Sequence, residues 1–229
     1  MTKRTIKLGE VSWIIGNILC AFGNCLVSKS AYGLSAIIAP AFILNRKIGF
    51  LTVGFCEYII QGLLLLLCCI IIGKFKGKFI ATICNIIFYG ACFDLINTFL
   101  GFLQPANMIS RIIVASLGMM ITGFGVALML RTYIPPSIYE IFVKEVAEAK
   151  GFDINKMKLV FDASMLALSL VLMFVLLGEF DFEFIGVITV ISAFLNSILI
   201  AFFGKFLDKH FDFSPAIPKL YEILNPKTK

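Results

Sequence analysis

The sequence predicts an all-α membrane protein in which two three-helix repeats cross the bilayer in opposite orientations. Of its 229 residues, 60% are hydrophobic, and they include 24 phenylalanines but a single histidine. A soluble domain of this size cannot bury so much apolar surface, so the chain is expected to lie in lipid. The second observation is an internal repeat, which is the first pattern to establish because it determines the architecture.

The repeat consists of glycines, cations and hydroxyl groups that return 102 residues later. The paired positions are Gly16 and Gly118, Phe22 and Phe124, Gly23 and Gly125, Lys29 and Arg131, Ser30 and Thr132, Ser35 and Ser137, and Asp94 and Asn196. At an offset of 105, residues 73–79 fall on 178–184, and Glu57 falls on Asp162. The repeat therefore divides the chain into residues 1–104 and 105–210, followed by a cytoplasmic C-terminal tail over 211–229.

Six apolar segments have the length of a membrane-spanning helix. About 20 residues at 1.5 Å each cross ~30 Å of hydrocarbon. The segments cover residues 11–29, 50–72, 79–101, 111–131, 157–177 and 184–207. Three spans in each repeat place the second copy upside down in the membrane, which is the arrangement of many secondary transporters.

In each repeat a shorter segment follows the first span and is expected to form an interfacial or re-entrant helix. In the second repeat, Ser137 and Glu140 form a capping-box pattern and Gly151 is a suitable end, which predicts a helix over 138–149. Its charged residues share one face, so we expect it to lie at the cytoplasmic interface with Glu145 solvated.

The corresponding segment of the first repeat, residues 36–44, is apolar on all sides and contains Pro40. It is expected to tuck into the outer half of the membrane as a short or broken helix. Irregular backbone at that depth is tolerated only where protein or a water-filled cavity covers it.

The lysines and arginines predict the orientation. Sixteen of the 20 lie on the side of the N-terminus, and the other side has only Lys29, Arg46, Lys47 and Arg111. By the positive-inside rule, we expect a multi-pass protein of the cell membrane with both termini in the cytoplasm.

Ionisable side chains inside the spans are the candidate functional residues. A carboxylate at mid-helix costs about 2.5–3.5 kcal/mol on insertion scales, so such residues mark sites by default. Inverted symmetry groups them into an outer cluster of Lys29, Glu57 and Asp94 and an inner cluster of Arg131, Asp162 and Asn196. One Arg–Asp pair can neutralise the inner cluster, whereas the outer one has two acids against one lysine and invites a proton, a cation or a cationic substrate group.

A structural alternative stays open for the same residues. Lys29 and Arg131, near helix ends, can extend to the lipid headgroups. Glu57 and Asp162 can cap a helix or pair between helices.

Several of these residues also carry a family resemblance. The Phe22-Gly23 start of the repeat, the turn with Lys29, Ser30, Gly33 and Ser35, and Phe161-Asp162 resemble the YczE/YyaS/YitT-type bacterial integral membrane proteins over residues 11–207. The resemblance implies a six-span bacterial membrane protein whose substrate is generally not assigned. The repeat turn, with Ser30, Gly33, Ser35, Thr132 and Ser137, therefore joins the candidate site.

Enzymatic chemistry is not expected. His210 lies beyond the last span, and the sequence has no His/Glu metal motif, nucleophile elbow or Walker loop, so no cofactor, metal or nucleic acid is predicted. One hypothesis is a secondary carrier of a small solute with a polar site between the repeats. The other is a non-catalytic membrane module for binding, substrate capture, assembly or sensing that depends on a partner protein. The solute, coupling to a proton or cation, and assembly as a homo-oligomer or with a membrane partner stay open.

Overall fold

The computed structural model describes residues 4–6 and 9–224. Lys3, Lys7, Lys227 and Lys229, which contribute to the predicted charge asymmetry, lie outside the described residues. The helices are α1 (Gly9–Lys29), α2 (Ala39–Ile48), α3 (Val53–Ile72), α4 (Lys78–Phe99), α5 (Met108–Met129), α6 (Ile138–Lys150), α7 (Ile154–Leu172), α8 (Val187–His210) and α9 (Pro218–Leu224), and the strands are β1 (Arg4–Ile6) and β2 (Phe211–Phe213). A 3-10 turn, Leu100–Phe102, extends α4, and a π turn, Met173–Leu177, extends α7.

The prediction of six membrane-spanning helices is confirmed. In the described part of the chain, α1, α3, α4, α5, α7 and α8 are long and apolar enough to cross a bilayer. Their outward faces are apolar, as on α3, where Leu63 and Leu66 are each 58% exposed and Ile70 is 67% exposed. Such side chains match a lipid environment and would be costly in water.

Caps explain where the spans begin and end. The hydroxyl of Thr52 accepts a hydrogen bond from the Phe55 amide at the start of α3, which satisfies one free backbone donor. Gly73 ends α3 with φ +74°, and Gly178 ends the π turn after α7 with φ +80°. Both glycines are helix C-caps in the left-handed region, where a Cβ is unfavourable, so the paired positions 73 and 178 have the same local role.

Helices α1 and α5 pack through glycines in a reciprocal pattern. A Cβ on Gly16 would meet the carbonyl oxygen of Gly125, and a Cβ on Gly125 would meet that of Gly16. Gly23 and Gly118 have the same relationship. The two helices therefore run antiparallel, and Gly16 and Gly23 of α1 lie against Gly125 and Gly118 of α5. Their backbones approach closely because no side chain separates them.

One end of the helix bundle collects lysines and arginines, and we call it the lysine-rich end. Lys76 and Lys78, from the turn between α3 and α4, both pair with Glu145 of α6. At the same end, Arg131 beyond α5 forms two 2.7 Å hydrogen bonds with the carboxylate of Asp208 in α8. The helices therefore alternate in direction as predicted.

At the opposite end, the segment after α1 is tied to the segment before α8. The amide of Leu34 donates to the Phe184 carbonyl at 3.0 Å, and the amide of Ile188 donates to the Tyr32 carbonyl at 3.0 Å. The guanidinium of Arg111 lies 5.5 Å from the centre of the Tyr32 ring. These contacts join the first half of the chain to the second at this end of the bundle.

Helix α6 begins at the predicted residue and ends one residue later than predicted, but the prediction that Glu145 is solvated is wrong. Ser137 donates to the Glu140 carboxylate, and Gly151 ends the helix with φ +69°. The helix packs against α3 and α7, and its Glu145 is only 1% exposed. Burial is tolerated because Lys76 and Lys78 neutralise that carboxylate.

Helix α2 is the counterpart of α6. It begins at Ala39, three residues later than predicted, and Pro40 lies in its first turn, where no backbone N–H is needed. Ala39, Ala41 and Ile43 are fully buried against neighbouring helices. In the irregular backbone before α2, Leu34 and Ile38 are 2% and 3% exposed, so protein covers this segment, as is required of irregular backbone inside a membrane.

The two ends of the described chain meet at the lysine-rich end. Strand β1 pairs in parallel with β2, and the amide of Gly9 donates to the Ser214 carbonyl at 3.2 Å. The carboxylate of Glu10 accepts hydrogen bonds from the amides of Ala216 and Ile217, and Tyr133 donates to the same group. Much of the predicted tail is thus folded onto the helices.

Candidate functional site

A cavity of about 100 Å³ lies at the centre of the bundle. Its lining comes from both repeats: α1, α3 and α4 from the first, and α5, α6, α7 and α8 from the second. Ser35 and Ser137, a pair of the repeat that precedes the two short helices, both line it. Amides, hydroxyls and charged side chains share the lining with apolar side chains such as Val126, Met129 and Ile200. The cavity therefore places polar groups inside a bundle whose exterior is apolar.

Amide groups form the wall on the α1 side. The Nδ2 of Asn17 donates to the Trp13 carbonyl at 3.0 Å, and its Oδ1 accepts a 2.8 Å hydrogen bond from Asn85 of α4. Seven residues along α1, Asn24 donates to the Tyr89 hydroxyl at 2.8 Å and accepts from Thr122 at 3.4 Å. These bonds link α1 to α4 and α5, and Asn17 and Asn24 also line the cavity.

Glu57 lies behind this wall, 1% exposed. Its Oε2 accepts hydrogen bonds from Gln61 Nε2 at 2.8 Å and from the Tyr139 hydroxyl at 2.9 Å. Burial first, and then the neighbouring carboxylate, raise the pKa of the Tyr139 phenol well above its ordinary value, so this hydroxyl acts as the donor. No ion pair to Glu57 occurs among the described residues. Gln61 and Tyr139 line the cavity and separate the carboxylate from it.

Charged residues line the part of the cavity that lies nearest the lysine-rich end. Glu140, held by Ser137, lies at the start of α6, and Lys158 of α7 pairs with Asp162 at 3.0 Å. Glu140 and Lys158 also line a second, larger cavity of about 530 Å³ that reaches Thr132 and Lys144. The two residues therefore form a boundary between a small inner chamber and a wider vestibule.

The structure does not join the predicted outer cluster. Among the described residues, no ion pair or hydrogen bond connects Lys29, Glu57 and Asp94. Asp94 accepts hydrogen bonds from the Thr52 hydroxyl at 2.6 Å and from the amide of Gly54 at 2.8 Å, so it stabilises the start of α3. Of the three residues, Glu57 alone contacts side chains that line the cavity.

The inner cluster is also divided. The predicted pair of Arg131 with Asp162 is wrong, because Arg131 forms its bidentate pair with Asp208 and Asp162 pairs with Lys158, one helical turn away. Asp162 and Asn196 both line the cavity, whereas Arg131 does not. A partner four residues away on the same helix costs less chain entropy to reach than one on another helix, which favours the local pair.

The residues of the repeat turn have matching roles. The hydroxyls of Ser30 and Thr132 donate to carbonyls three residues earlier, Val27 and Met129, at 2.7 and 2.9 Å, and so end α1 and α5 in the same way. Gly33 has φ +107° and packs against Gly186, a position that excludes a side chain. Within this turn, Ser35 and Ser137 reach the cavity.

Sequence reasoning missed part of the cavity. The cavity also includes Gln61, Tyr89, Thr122, Tyr139, Lys158 and Ser192. The available signal was the seven-residue spacing of Asn17 and Asn24, which places two amides on one face of α1. The described residues hold no group of three or more His, Cys, Asp or Glu side chains that could bind a metal ion.

Comparison with known proteins places the chain in one family. Residues 8–205 match a family of unknown function, DUF6198. The chain belongs to this family. The match covers all six spans almost to the end of α8, so the cavity and both short helices fall within the family region. No curated protein and no solved structure matches the chain.

Proposed function

We propose that this member of DUF6198 is a secondary carrier that moves a small polar solute through the central cavity. The observation that carries the proposal is one cavity, about 100 Å³ in volume, in which both repeats place amide, hydroxyl and charged side chains, with a vestibule adjoining one end. Polar and ionisable groups inside a lipid-embedded bundle are costly, and in membranes they mark solute pathways.

The inverted repeat supports the same proposal. In carriers of this type the binding site lies where two inverted repeats meet, and short or broken helices in both halves point to it. Here Ser35 and Ser137 precede α2 and α6 and both line the cavity. The reciprocal contacts of Gly16 with Gly125 and of Gly23 with Gly118 are those a twofold axis in the membrane plane would produce.

The proposal includes an orientation and excludes catalysis. The lysine-rich end faces the cytoplasm by the positive-inside rule, which puts both termini of a cell-membrane protein inside and the vestibule on the cytoplasmic side. The protein acts by binding and release, without an enzymatic step. The sequence resemblance to the YczE/YyaS/YitT-type proteins, whose members are also six-span, fits this role.

The test combines binding with flux. The purified protein in detergent is heated with a panel of small cationic, anionic and neutral polar solutes, and each solute that raises the melting temperature is then tested for uptake into proteoliposomes. Ala36→Leu fills the cavity, because Ala36 lines it and is 7% exposed. Ala149→Leu on the exposed face of α6 is the matched control.

A carrier gives uptake that Ala36→Leu abolishes and Ala149→Leu retains. Stabilisation by a solute without uptake favours instead a substrate-capture module that needs a partner protein. The proposal fails if no solute is bound, or if the cavity-filling variant transports as well as the wild type.

A further inference from the structure

The hydrogen bonds around the central cavity leave acceptors free and use the donors. Asn17 shows why this polarity is fixed. Its Nδ2 must face the Trp13 carbonyl, which can only accept, so its Oδ1 faces Asn85 and receives the Asn85 Nδ2. Asn85 Oδ1 is therefore left buried, with no hydrogen-bond partner in the described part of the chain.

The same logic applies to the group around Glu57. A carboxylate only accepts, so Gln61 presents its Nε2 to Glu57 and turns its Oε1 away. Both Gln61 Oε1 and Glu57 Oε1 are buried without a partner among the described residues. Gln61 is itself 1% exposed and lines the cavity, so a buried amide with an unused acceptor forms part of the cavity wall.

On another wall of the cavity, α8 contributes one more such group. Asn196 Oδ1 is buried and has no hydrogen-bond partner in the residues described. Asp162 Oδ1 is also buried, but the ammonium of Lys158 lies 3.0 Å away and neutralises the carboxylate. All of these buried atoms are oxygens. An unmade hydrogen bond of a buried group costs about 1–3 kcal/mol, so a ligand that donates several bonds at once gains most.

The charged residues around the cavity also favour a positively charged ligand. Glu140, Asp162 and Lys158 line it, and the unpaired carboxylate of Glu57 lies directly behind Gln61 and Tyr139. The acids therefore outnumber the cations. The positive end of the α6 dipole offsets Glu140 in its first turn, and Lys158 pairs with Asp162, so the negative charge left without a counter-charge is that of Glu57.

We infer that the cavity binds a small organic cation that carries N–H donors, of the ammonium or guanidinium class, with Glu57 as its counter-charge. The inference rests on the proposed function, since it takes the central cavity as the solute site. The volume of about 100 Å³ is well above the roughly 10–15 Å³ that a single water requires, which suits a cation of a few heavy atoms. Acceptors on α3 and α8 would hold the cation between the two repeats.

Three probes separate charge from hydrogen bonding. Guanidinium has a positive charge and N–H donors, urea has a similar planar shape and donors without the charge, and tetramethylammonium has the charge without donors. Titration calorimetry of the purified protein, at millimolar probe and with sodium chloride to match ionic strength, measures each affinity. We expect guanidinium to bind at least tenfold more tightly than urea or tetramethylammonium, because it alone satisfies both requirements.

Variants connect the binding to Glu57. Glu57→Gln removes the charge but keeps a side chain of the same shape, and we expect it to weaken guanidinium binding about tenfold or more, because the Coulomb attraction between the cation and a carboxylate a few Å behind the cavity wall is lost. Glu148→Gln, an exposed acid on α6, is the matched control and should bind as the wild type does. If Glu57→Gln does not fold, Asn196→Leu tests the acceptor on α8 and should weaken binding in the same direction.

Each outcome bears on one of the two proposals. Equal binding of urea and guanidinium, unchanged binding in both Glu57→Gln and Asn196→Leu, or no binding of guanidinium overturns the cation assignment. Uptake of a neutral or anionic solute into proteoliposomes overturns the cation class but leaves the carrier intact. Guanidinium binding that depends on Glu57, without uptake, supports the class and contradicts the carrier.

Discussion

The backbones of Gly23 and Gly118 are in direct contact across α1 and α5, since a Cβ on Gly118 would lie 2.7 Å from the Gly23 carbonyl oxygen. We predict that Gly118→Ala destabilises the protein although alanine favours helices. The overpacking penalty is about 1–3 kcal/mol, and it exceeds the helix propensity gain of about 0.8–1 kcal/mol over most of that range. Thermal unfolding in detergent should show a lower melting temperature.

Gly62 provides the control for this prediction. It lies within α3, and a Cβ there would meet no atom within 4 Å. Gly62→Ala should therefore leave the melting temperature unchanged or raise it. A Gly118→Ala protein as stable as Gly62→Ala would mean that α1 and α5 do not pack as closely as the structure has them.

The second prediction concerns Glu145, the buried carboxylate between Lys76 and Lys78. Glu145→Gln should lower stability by about 1–3 kcal/mol, because two lysines lose their shared partner in a half-buried position. Glu145→Lys places three ammonium groups together and should cost about 3–5 kcal/mol or prevent folding. Glu148→Gln, exposed on the same helix, should have little effect.

The pH dependence of this ion pair has a definite sign. Burial would raise the pKa of Glu145, but the hydrogen bonds and charges of Lys76 and Lys78 outweigh burial and lower it below the ordinary value of 4.5. The unfolded state therefore binds the proton more readily, and the stabilisation is present above pH 4.5 and lost as the pH falls further. The melting-temperature difference between wild type and Glu145→Gln should shrink below pH 4.5, and a difference that widens there would contradict the assignment.

The third prediction concerns orientation. With the lysine-rich end in the cytoplasm, cysteines introduced near Lys76 and Lys144 into a cysteine-free background should react with an impermeant thiol reagent only from the inside. Cysteines near Gln104 and Asp181 should react only from the outside. Labelling of a cysteine at Gln104 from the cytoplasmic side would overturn this orientation.

The spans and the bounds of α6 could be predicted because their causes are local. A bilayer requires about 20 apolar residues in a row, and the stretch itself contains them. The bounds of α6 follow from Ser137, Glu140 and Gly151, which act within one turn of the helix end they define. The start of α2 was predicted three residues too early, because residues 36–38 form a tight turn before the helix and their sequence resembles that of a helix.

The burial of Glu145 could not be predicted from its own helix. Its partners Lys76 and Lys78 lie 69 and 67 residues away, so a pattern read along α6 shows a charged face and indicates solvent. The ion pair of Arg131 could not be predicted for the same reason, because its partner Asp208 lies 77 residues away. The depth of Glu57 in a span marked it as a candidate site residue, but its hydrogen-bond donor Tyr139 belongs to the short helix that was expected at the interface.

The last prediction separates Asp94 from Glu57, which the sequence had placed in one cluster. Asp94 accepts hydrogen bonds from Thr52 and Gly54 at the start of α3, so its role is to cap that helix. Asp94→Asn keeps an acceptor oxygen for the Gly54 amide but loses the charge, and should lower stability by about 0.5–2 kcal/mol, the range for helix caps. Guanidinium affinity should stay within about twofold of the wild type, whereas Glu57→Gln lowers it tenfold. Melting temperature and calorimetric affinity, measured on the same preparations, distinguish the two effects, and a tenfold loss of affinity in a stable Asp94→Asn protein would return Asp94 to the solute site.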